Sequence, residues 1–351
     1  MLLYTSGLSM HKEFEQARKL LIQQFDRIPG MSKIEYQNYI LNLFRFQHKY
    51  NLIYQQFCKN IGIFDVNKVT IDSIPFLPIS AFKYHEVKTG NYDTEMIFTS
   101  SGTTSSLQSQ HHVREITHYL TNTEQIWNAH FDKVSHYCFL ALLPGYLERK
   151  GSSLISMVEY FISKSNYSES GFYLREFDNL SKTLEYCKNK NIPTVLFGVS
   201  HALIDFAENY PLKFKDLIII ETGGMKGPRK EITKTALHAI LVQQFGTESV
   251  YSEYGMTELL SQAYTDKNTR FRSNPFLNVT IKQLNDPLTD EKLNKPGIIC
   301  VRDVANIDSC AFIQTEDLGI KHADGSFDIS GRIDAAEWRG CNLLLQELGI
   351  H

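Results

Sequence analysis

The sequence has little excess charge and no long apolar run. Its 351 residues carry 36 lysines and arginines against 39 aspartates and glutamates, which gives a formal net charge of −3 at pH 7. This near-balance argues against a polybasic surface for nucleic acid. No segment approaches the roughly 18 consecutive apolar residues of a transmembrane helix, and the first residues lack the features of a secretory signal. We therefore expect no nucleic-acid partner and no transmembrane segment.

Cysteine pairs with a recognisable spacing are also missing. The six cysteines include no Cys-x-x-Cys pair, which argues against a zinc ribbon and against a disulfide framework. Reduced thiols in a cytoplasmic protein are the interpretation that fits. The sequence is 42% hydrophobic and 12% aromatic, enough to bury a large core and to exclude a disordered chain. The length allows two domains, or one large domain with a subdomain.

The periodicity of apolar residues predicts an α/β fold. Before about residue 65 they recur at helical intervals on both sides of Pro29-Gly30, which predicts two helices and a turn. Short apolar runs then alternate with polar stretches of helical spacing. The runs cover residues 136–143, 194–198 and 217–220. Strands covered on both faces and separated by helices are typical of a mainly parallel sheet flanked by helices.

Beyond about residue 275 the pattern changes to strand-like runs separated by Gly, Pro and Asp-Gly turns. This change predicts a smaller β-rich subdomain. We therefore expect three parts in the chain. They are a helical N-terminal segment packed on the core (residues 1–65), an α/β core (66–275), and the β-rich subdomain with a short C-terminal tail (276–351).

The first candidate site is a loop of small hydroxylated residues directly after the strand-like run at residues 96–98. The loop contains Ser100, Ser101, Gly102, Thr103 and Thr104. Backbone N–H and side-chain O–H groups of such a loop can converge on a phosphate, and glycine permits the backbone conformation that this requires. The alternative is a solvated surface loop. It is not a Walker loop, because Gly-x-x-x-x-Gly-Lys-Ser/Thr is absent.

The second candidate site combines an aromatic ring, a glycine turn, a hydroxyl and a carboxylate within five residues, Tyr254-Gly255-Met256-Thr257-Glu258. Tyr254 could stack on a nucleobase, Thr257 could contact a phosphate, and Glu258 could bind Mg²⁺, which prefers oxygen ligands. The alternative is a turn whose Glu258 caps the next helix.

The third candidate site joins Asp317 with the later pair Gly331-Arg332. An aspartate in a turn can accept hydrogen bonds from ribose hydroxyls, and an arginine can pair with phosphate or carboxylate. The alternative for each is a simple chain reversal.

The order of these motifs resembles the adenylate-forming superfamily, which includes acyl- and aryl-CoA ligases, luciferases and peptide-synthetase adenylation domains. The phosphate loop, the Tyr-Gly-x-Thr-Glu motif, the aspartate and the Gly-Arg pair occur here in the superfamily's order. A fifth element, with Gly223 and Gly224 after the run at residues 217–220, looks like the loop against adenine. Within the superfamily the chain most resembles the LuxE-like acyl-protein synthetases. That resemblance rests on Ser-Ser-Gly-Thr-Thr, Thr222-Gly-Gly-Met-Lys-Gly, the Tyr254 motif and Trp338-Arg-Gly-Cys-Asn.

The resemblance implies ATP- and Mg²⁺-dependent activation of a carboxylic acid, usually fatty, as an acyl-adenylate. It also implies transfer of the acyl group to a cysteine near the C-terminus, expected at Cys341, and onward to an acyl-CoA-reductase-like partner. Gly198 and His201 lie where relatives often contact the acyl group. The other functions left open are an acyl- or aryl-CoA ligase and a degenerate nucleotide-binding scaffold.

One departure from the superfamily concerns its usual C-terminal lid domain, which carries a lysine that steadies the adenylation transition state. Only nineteen residues follow Arg332, and none is a lysine. We therefore expect the lid to be absent. Lys226, or else Arg229 or Lys230, is the candidate to supply the missing positive charge, unless these side chains are solvated surface.

Overall fold

The computed structural model describes residues 2–100, 107–144, 151–223 and 232–333. The first half of the chain forms α1 (Leu2–Phe25), α2 (Lys33–Tyr50), α3 (Leu52–Asn60), β1 (Leu77–Pro78), α4 (Ala81–Tyr84), β2 (Met96–Thr99), β3 (Gln110–Val113), α5 (Ile116–His130), β4 (Cys138–Leu142), α6 (Ser153–Lys164) and β5 (Gly171–Phe172). The second half forms α7 (Phe177–Asn189), β6 (Thr194–Val199), α8 (Ser200–Asn209), β7 (Ile218–Thr222), α9 (Lys234–Phe245), β8 (Val250–Tyr254), β9 (Ala263–Tyr264), β10 (Phe271–Arg272), β11 (Leu277–Lys282), β12 (Pro296–Asp303), β13 (Phe312–Lys321) and β14 (Ser326–Arg332).

The helical start contains three α-helices, so the prediction of two was wrong. The chain leaves the helical conformation at Asn51, with φ −104° and ψ 106°, between α2 and α3. The Asn51 side chain accepts a hydrogen bond from the backbone N–H of Tyr54 at 3.0 Å and so caps α3. A break of one residue hardly disturbs the spacing of apolar side chains, which is why periodicity did not reveal it.

The chain forms two compact units. Unit 1 comprises Met1–Tyr119, Thr257–Ser261 and Ser273–His351, and unit 2 comprises Leu120–Met256 and Gln262–Arg272. The division of the chain into three parts by sequence position stays a prediction.

Unit 1 contains an antiparallel sheet with the order β14-β13-β12-β11, in which β1 pairs in parallel with β13. Its core includes a cluster of aromatic rings in which Phe312 of β13 stacks on Tyr54 of α3, with ring centroids 6.1 Å apart, and meets Phe44 of α2 edge-on at 6.2 Å. These helices thereby hold one side of β13. In the same unit β2 and β3 form an antiparallel hairpin.

Unit 2 contains a sheet with the order β5-β4-β6-β7-β8-β9, in which neighbouring strands are parallel except for β8 and β9. Every residue of β4 and of β6 is buried, as expected for strands covered on both faces. Trp127 of α5 is fully buried against the rings of Phe139 and Phe161 at 5.1 and 5.3 Å. The predicted α/β class with a mainly parallel sheet is confirmed.

The parallel sheet brings distant residues to one edge. Val199 at the end of β6 pairs with Thr222 at the end of β7, and Thr222 pairs with Glu253 of β8. Ligands of open α/β sheets usually bind beyond the carboxyl ends of the strands. We therefore expect any ligand site of unit 2 to involve the residues that follow these strand ends.

Two sequence expectations concern thiols and membranes. The five cysteines of the described part of the chain are buried and free of disulfides. No helix in the same ranges is long and apolar enough to cross a membrane.

Candidate active site

The predicted site residues fall in both units. The Tyr254–Glu258 motif is itself divided, because Tyr254 and Gly255 belong to unit 2, whereas Thr257 and Glu258 belong to unit 1. Several predicted residues lie outside the described ranges: Ser101, Gly102, Thr103, Thr104, Gly224, Lys226 and Cys341. The expected absence of a lid domain concerns residues 334–351, which also lie outside them.

Glu258, the predicted metal-binding carboxylate, is buried in unit 1 with 5% of its surface exposed. Burial raises the pKa of Glu258, while a hydrogen bond from Ser109 and the positive charges of Arg332 and Lys83 oppose that rise. Glu258 is thus electrostatically linked to Arg332, a site residue predicted from a separate motif.

The main chain around Glu258 is held by buried polar side chains that belong to none of the sequence motifs. Asn306 donates a hydrogen bond from Nδ2 to the carbonyl of Glu258 at 2.7 Å. A ring nitrogen of His111, Nδ1, lies 2.9 Å from the carbonyl oxygen of Thr257. Burial lowers the pKa of His111 to about 4, so at neutral pH the ring is uncharged and Nδ1–H can donate to that carbonyl.

Asp303, which is fully buried at the end of β12, holds the residues that follow Glu258. Its carboxylate accepts hydrogen bonds from the backbone N–H of Leu260 and from the hydroxyl of Ser261, both at 2.6 Å. Burial raises the pKa of Asp303 to about 6, although these hydrogen bonds favour the charged form. A single aspartate after a strand carries no sequence signal for this role, since its partners are some 40 residues away and only folding brings them to it.

Asp317 and Arg332 face each other across the β13–β14 ladder. Arg332 donates from Nε to Oδ1 of Asp317 at 3.0 Å. The Asp317 side chain is 8% exposed, whereas that of Arg332 is 58% exposed. A buried carboxylate thus lies beside an exposed cation, as a site for ribose hydroxyls and phosphate would need. The structure brings these two predicted residues together.

Lys83 is a cation beside these residues that no sequence motif indicates. It follows Phe82 in the four-residue helix α4, and its Nζ lies 3.3 Å from Oε1 of Glu316, the residue before Asp317. Lysines near a turn are too common for the sequence to mark this one.

Ser100, the first residue of the predicted phosphate loop, closes the β2–β3 hairpin. Its N–H donates to the carbonyl of Ser109 at 3.2 Å, and its hydroxyl oxygen accepts from the N–H of Ser109 at 3.0 Å. The two ends of the intervening loop are thus held together. Ser109 also hydrogen-bonds Glu258 through its side chain. The base of the predicted phosphate loop and the predicted metal carboxylate therefore share a partner within unit 1.

In unit 2, Tyr254 ends β8 with 7% of its surface exposed, and its ring lies 5.8 Å from that of Phe271. Gly255 follows, and a side chain there would collide with its neighbour, because an added Cβ would lie 2.5 Å from Oε1 of Glu253. A larger residue at position 255 would therefore have to displace the Glu253 carboxylate.

Glu253 and Glu221 form a pair of carboxylates at the ends of β8 and β7. The hydroxyl of Thr222 donates to Oε2 of Glu253. Burial raises the pKa of Glu253 to about 7, reinforced by the charge of Glu221 and opposed by the Thr222 hydroxyl. Glu221 behaves in the opposite way: burial disfavours its charge, but the nearby His238 and Ser252 side chains outweigh burial and lower the pKa of Glu221. The Nε2 atom of His238 lies 3.7 Å from Oε1 of Glu221.

Gly223 follows β7 with a positive φ of 78°, which favours glycine, and its carbonyl accepts a hydrogen bond from the hydroxyl of Ser200 at 3.1 Å. Gly198 lies in β6, where an added Cβ would be 2.8 Å from Cδ2 of Leu203. His201 is half-buried in the first turn of α8. These residues share one edge of the parallel sheet with Tyr254.

The fold is that of the adenylate-forming ligases. The chain superposes on 2-hydroxyisobutyryl-CoA ligase in its open conformation with 2-HIB-AMP and CoA, with a TM-score of 0.64 and 10% identity over 88% of this chain and 78% of that one. The same enzyme in its thioesterification state gives 0.63 and 11%, over 88% and 71%. ATP-bound MatB from Rhodopseudomonas palustris gives 0.52 and 15%, over 69% of this chain and 49% of MatB. At these identities the likeness shows the fold.

A family comparison adds a narrower match. Residues 30–124 match the family model of the acyl-protein synthetase LuxE. The matched segment runs from just before α2 into α5 and includes the loop that begins at Ser100. The resemblance to that family is confirmed over this segment. No curated protein matches the chain in sequence.

Proposed function

We propose that this protein activates a carboxylic acid with ATP as an acyl-adenylate and then transfers the acyl group to a protein cysteine. The observation that carries the proposal is the meeting in unit 1 of residues from separate motifs. Arg332 is paired with Asp317, and its charge acts on Glu258. If these motifs were only turns that reverse the chain, we would not expect Arg332, Asp317 and Glu258 to interact.

In the first half-reaction, a carboxylate oxygen of the acid attacks the α-phosphorus of ATP, and pyrophosphate leaves. The loop from Ser100 to Thr104 binds the β- and γ-phosphates, with Thr257 as a further phosphate contact. Tyr254 packs on adenine beside Gly223 and Gly224, and Asp317 accepts the ribose hydroxyls. The protein forms no covalent bond in this step, so its task is positioning and stabilisation of charge.

Mg²⁺ fits this site through Glu258. Within the described ranges, no group of three or more His, Cys, Asp or Glu side chains is arranged to hold a metal ion by itself. Mg²⁺ in nucleotide sites is commonly held by one or two carboxylates together with the substrate phosphates. A single buried carboxylate is therefore a suitable contribution from the protein. When bound, the ion would offset the negative charge of the phosphates.

In the second half-reaction, the thiolate of Cys341 attacks the acyl carbonyl, which gives a thioester and releases AMP. A thiol is a good nucleophile only when ionised, and its ordinary pKa is about 8.5. The acid is a fatty acid in this proposal, with Gly198 and His201 beside the acyl chain, and an acyl-CoA-reductase-like protein then accepts the acyl group. The LuxE match over residues 30–124 supports this choice of acceptor.

A second candidate function is an acyl- or aryl-CoA ligase, with coenzyme A as the acceptor. The observation in its favour is the fold shared with 2-hydroxyisobutyryl-CoA ligase.

ATP–pyrophosphate exchange tests the first half-reaction. The purified chain is incubated with a panel of fatty, aryl and amino acids, and we expect exchange with at least one fatty acid. Glu258→Gln should reduce it strongly, and Glu248→Gln, at an exposed carboxylate, should not. If no acid supports exchange, the chain does not form acyl-adenylates, and a nucleotide-binding scaffold without turnover replaces the proposal.

Intact-protein mass spectrometry separates the two acceptors. With ATP and the preferred acid we expect an acyl adduct that maps to Cys341 and is lost in Cys341→Ser, while exchange persists in that variant. AMP release that depends on coenzyme A, without any adduct, would instead identify a CoA ligase.

A further inference from the structure

The proposed adenylation needs a positive charge near the α-phosphate, where negative charge gathers in the transition state. The described part of unit 1 contains two cations that act on the Glu258 carboxylate, Arg332 and Lys83. Arg332 belongs to a motif already assigned, whereas Lys83 has no assigned role.

The position of Lys83 is fixed by the fold on both sides of α4. Just before α4, β1 pairs in parallel with β13, and the N–H of Ile79 donates to the carbonyl of Gln314 at 2.9 Å. Within α4, the ring of Phe82 meets the ring of His111 edge-on at 5.6 Å. His111 is the residue that contacts the carbonyl of Thr257. The short helix therefore lies between the strand that carries Asp317 and the segment that carries Glu258.

Lys83 forms an ion pair with Glu316 that is weak enough to be broken. Its Nζ lies 3.3 Å from Oε1 of Glu316, and the two side chains are 33% and 30% exposed. Ion pairs with this degree of solvent exposure contribute only about 1 kcal/mol. Lysine is a compact charge on a flexible four-carbon stem, so it can exchange Glu316 for a more strongly charged phosphate at little cost.

The bound nucleotide is expected to lie close to Lys83. Under the proposed function, Asp317 would bind the ribose and Glu258 would hold Mg²⁺, so the α-phosphate is expected between these two carboxylates. Lys83 pairs with the neighbour of Asp317 and acts on Glu258 through its charge. It is thus placed within reach of the phosphate at which the reaction occurs.

We propose that Lys83 is a catalytic residue of the adenylation step, whose ammonium leaves Glu316 to contact phosphate oxygens of the bound nucleotide. This inference rests on the proposed function. The carboxylate oxygen of the acid forms its bond to the α-phosphorus as the bond to pyrophosphate breaks, and no proton is transferred from Lys83. Its charge stabilises the negative charge that gathers on the phosphate oxygens in the transition state.

The test compares Lys83→Met, which keeps most of the stem but removes the charge, with Lys83→Arg. The matched control is Lys49→Met, because Lys49 is an exposed lysine of the same unit that pairs with Glu13 at 2.5 Å. We expect Lys83→Met to lower kcat for ATP–pyrophosphate exchange roughly 100-fold, as for the loss of one transition-state donor. Lys83→Arg should retain part of the rate, and Lys49→Met should behave as the wild type.

Two further measurements separate catalysis from a structural ion pair. Acyl transfer from a synthetic acyl-adenylate should be unchanged in Lys83→Met, because that step bypasses adenylation, and its persistence also shows that the variant is folded. Glu316→Gln should keep its exchange activity. Exchange in Lys83→Met within about threefold of the wild type would overturn the proposal. So would equal losses in Lys83→Met and Glu316→Gln, because the ion pair itself would then be what matters.

Failure of the proposed function can be distinguished from failure of the role proposed for Lys83. If the wild type exchanges with no acid at all, adenylation is refuted, and equilibrium binding of MgATP decides what remains for Lys83. MgATP binding roughly tenfold weaker in Lys83→Met than in the wild type would support a contact between Lys83 and phosphate. Unchanged binding would refute that contact.

Discussion

The carboxylate of Glu253 offers a sharp test of the electrostatics at the edge of the parallel sheet. Its folded-state pKa is raised from 4.5 to about 7, first by burial and then by the charge of Glu221. A group whose pKa is raised in the folded state stabilises the fold fully below its unfolded pKa and loses that contribution as the pH rises through the folded value. We therefore expect unit 2 to lose stability between about pH 4.5 and pH 7.

Glu253→Gln removes this titration while it preserves the shape of the side chain. The amide oxygen can still accept the hydrogen bond that the Thr222 hydroxyl donates to Glu253. At about 1.4 kcal/mol per pKa unit, the shift corresponds to about 3 kcal/mol. Glu253 keeps some exposure to solvent, whose screening lowers the expected gain to about 2 kcal/mol. Glu253→Gln should thus be more stable than the wild type by about this amount near pH 8 and nearly equal to it near pH 4.

Urea denaturation monitored by tryptophan fluorescence measures this difference in the stability of unit 2. The chain has two tryptophans, and Trp338→Phe as the common background leaves Trp127, which is fully buried in unit 2. Glu248→Gln, at an exposed carboxylate of the same unit, controls for the change in charge. Parallel curves of unfolding free energy against pH for the wild type and Glu253→Gln would refute the assigned pKa and its cause.

Two further substitutions test the geometry of the site. Gly255→Ala should destabilise unit 2 by about 1–3 kcal/mol in urea unfolding, because the new Cβ would lie 2.5 Å from Glu253 Oε1; a wild-type midpoint would show that Glu253 moves aside freely. Asp303→Ala should cost unit 1 about 2–4 kcal/mol, because the N–H of Leu260 and the hydroxyl of Ser261 lose their buried acceptor. Intact thermal and urea stability in that variant would contradict the role assigned to Asp303.

The elements of the fold were predicted well where the apolar pattern is strong. The apolar runs at residues 194–198 and 217–220 form β6 and β7. Polar stretches with helical spacing form α7 and α9. Strands β6 and β7 are largely buried and α7 is amphipathic, so the local sequence of these segments already carries the constraint. The break at Asn51 was missed, because one capping residue decides it and the apolar spacing continues across it.

The candidate site was predictable only where a motif carries its own chemistry. Asp317, Arg332 and Glu258 could be named from short patterns that resemble a known family. Lys83, His111, Asn306 and Asp303 could not, because each acts on a segment distant in the sequence and none belongs to a recognisable pattern.

The sequence by itself determined the class of fold, the order of the motifs and the chemistry that their side chains permit, because hydrophobic periodicity and side-chain type are local properties. Only the tertiary structure decided that Arg332 meets Asp317, that Glu258 is buried near two cations, and that Glu253 keeps its proton to about pH 7. Pairing, burial and pKa depend on which distant segments the fold brings together, and no single stretch of sequence contains that information.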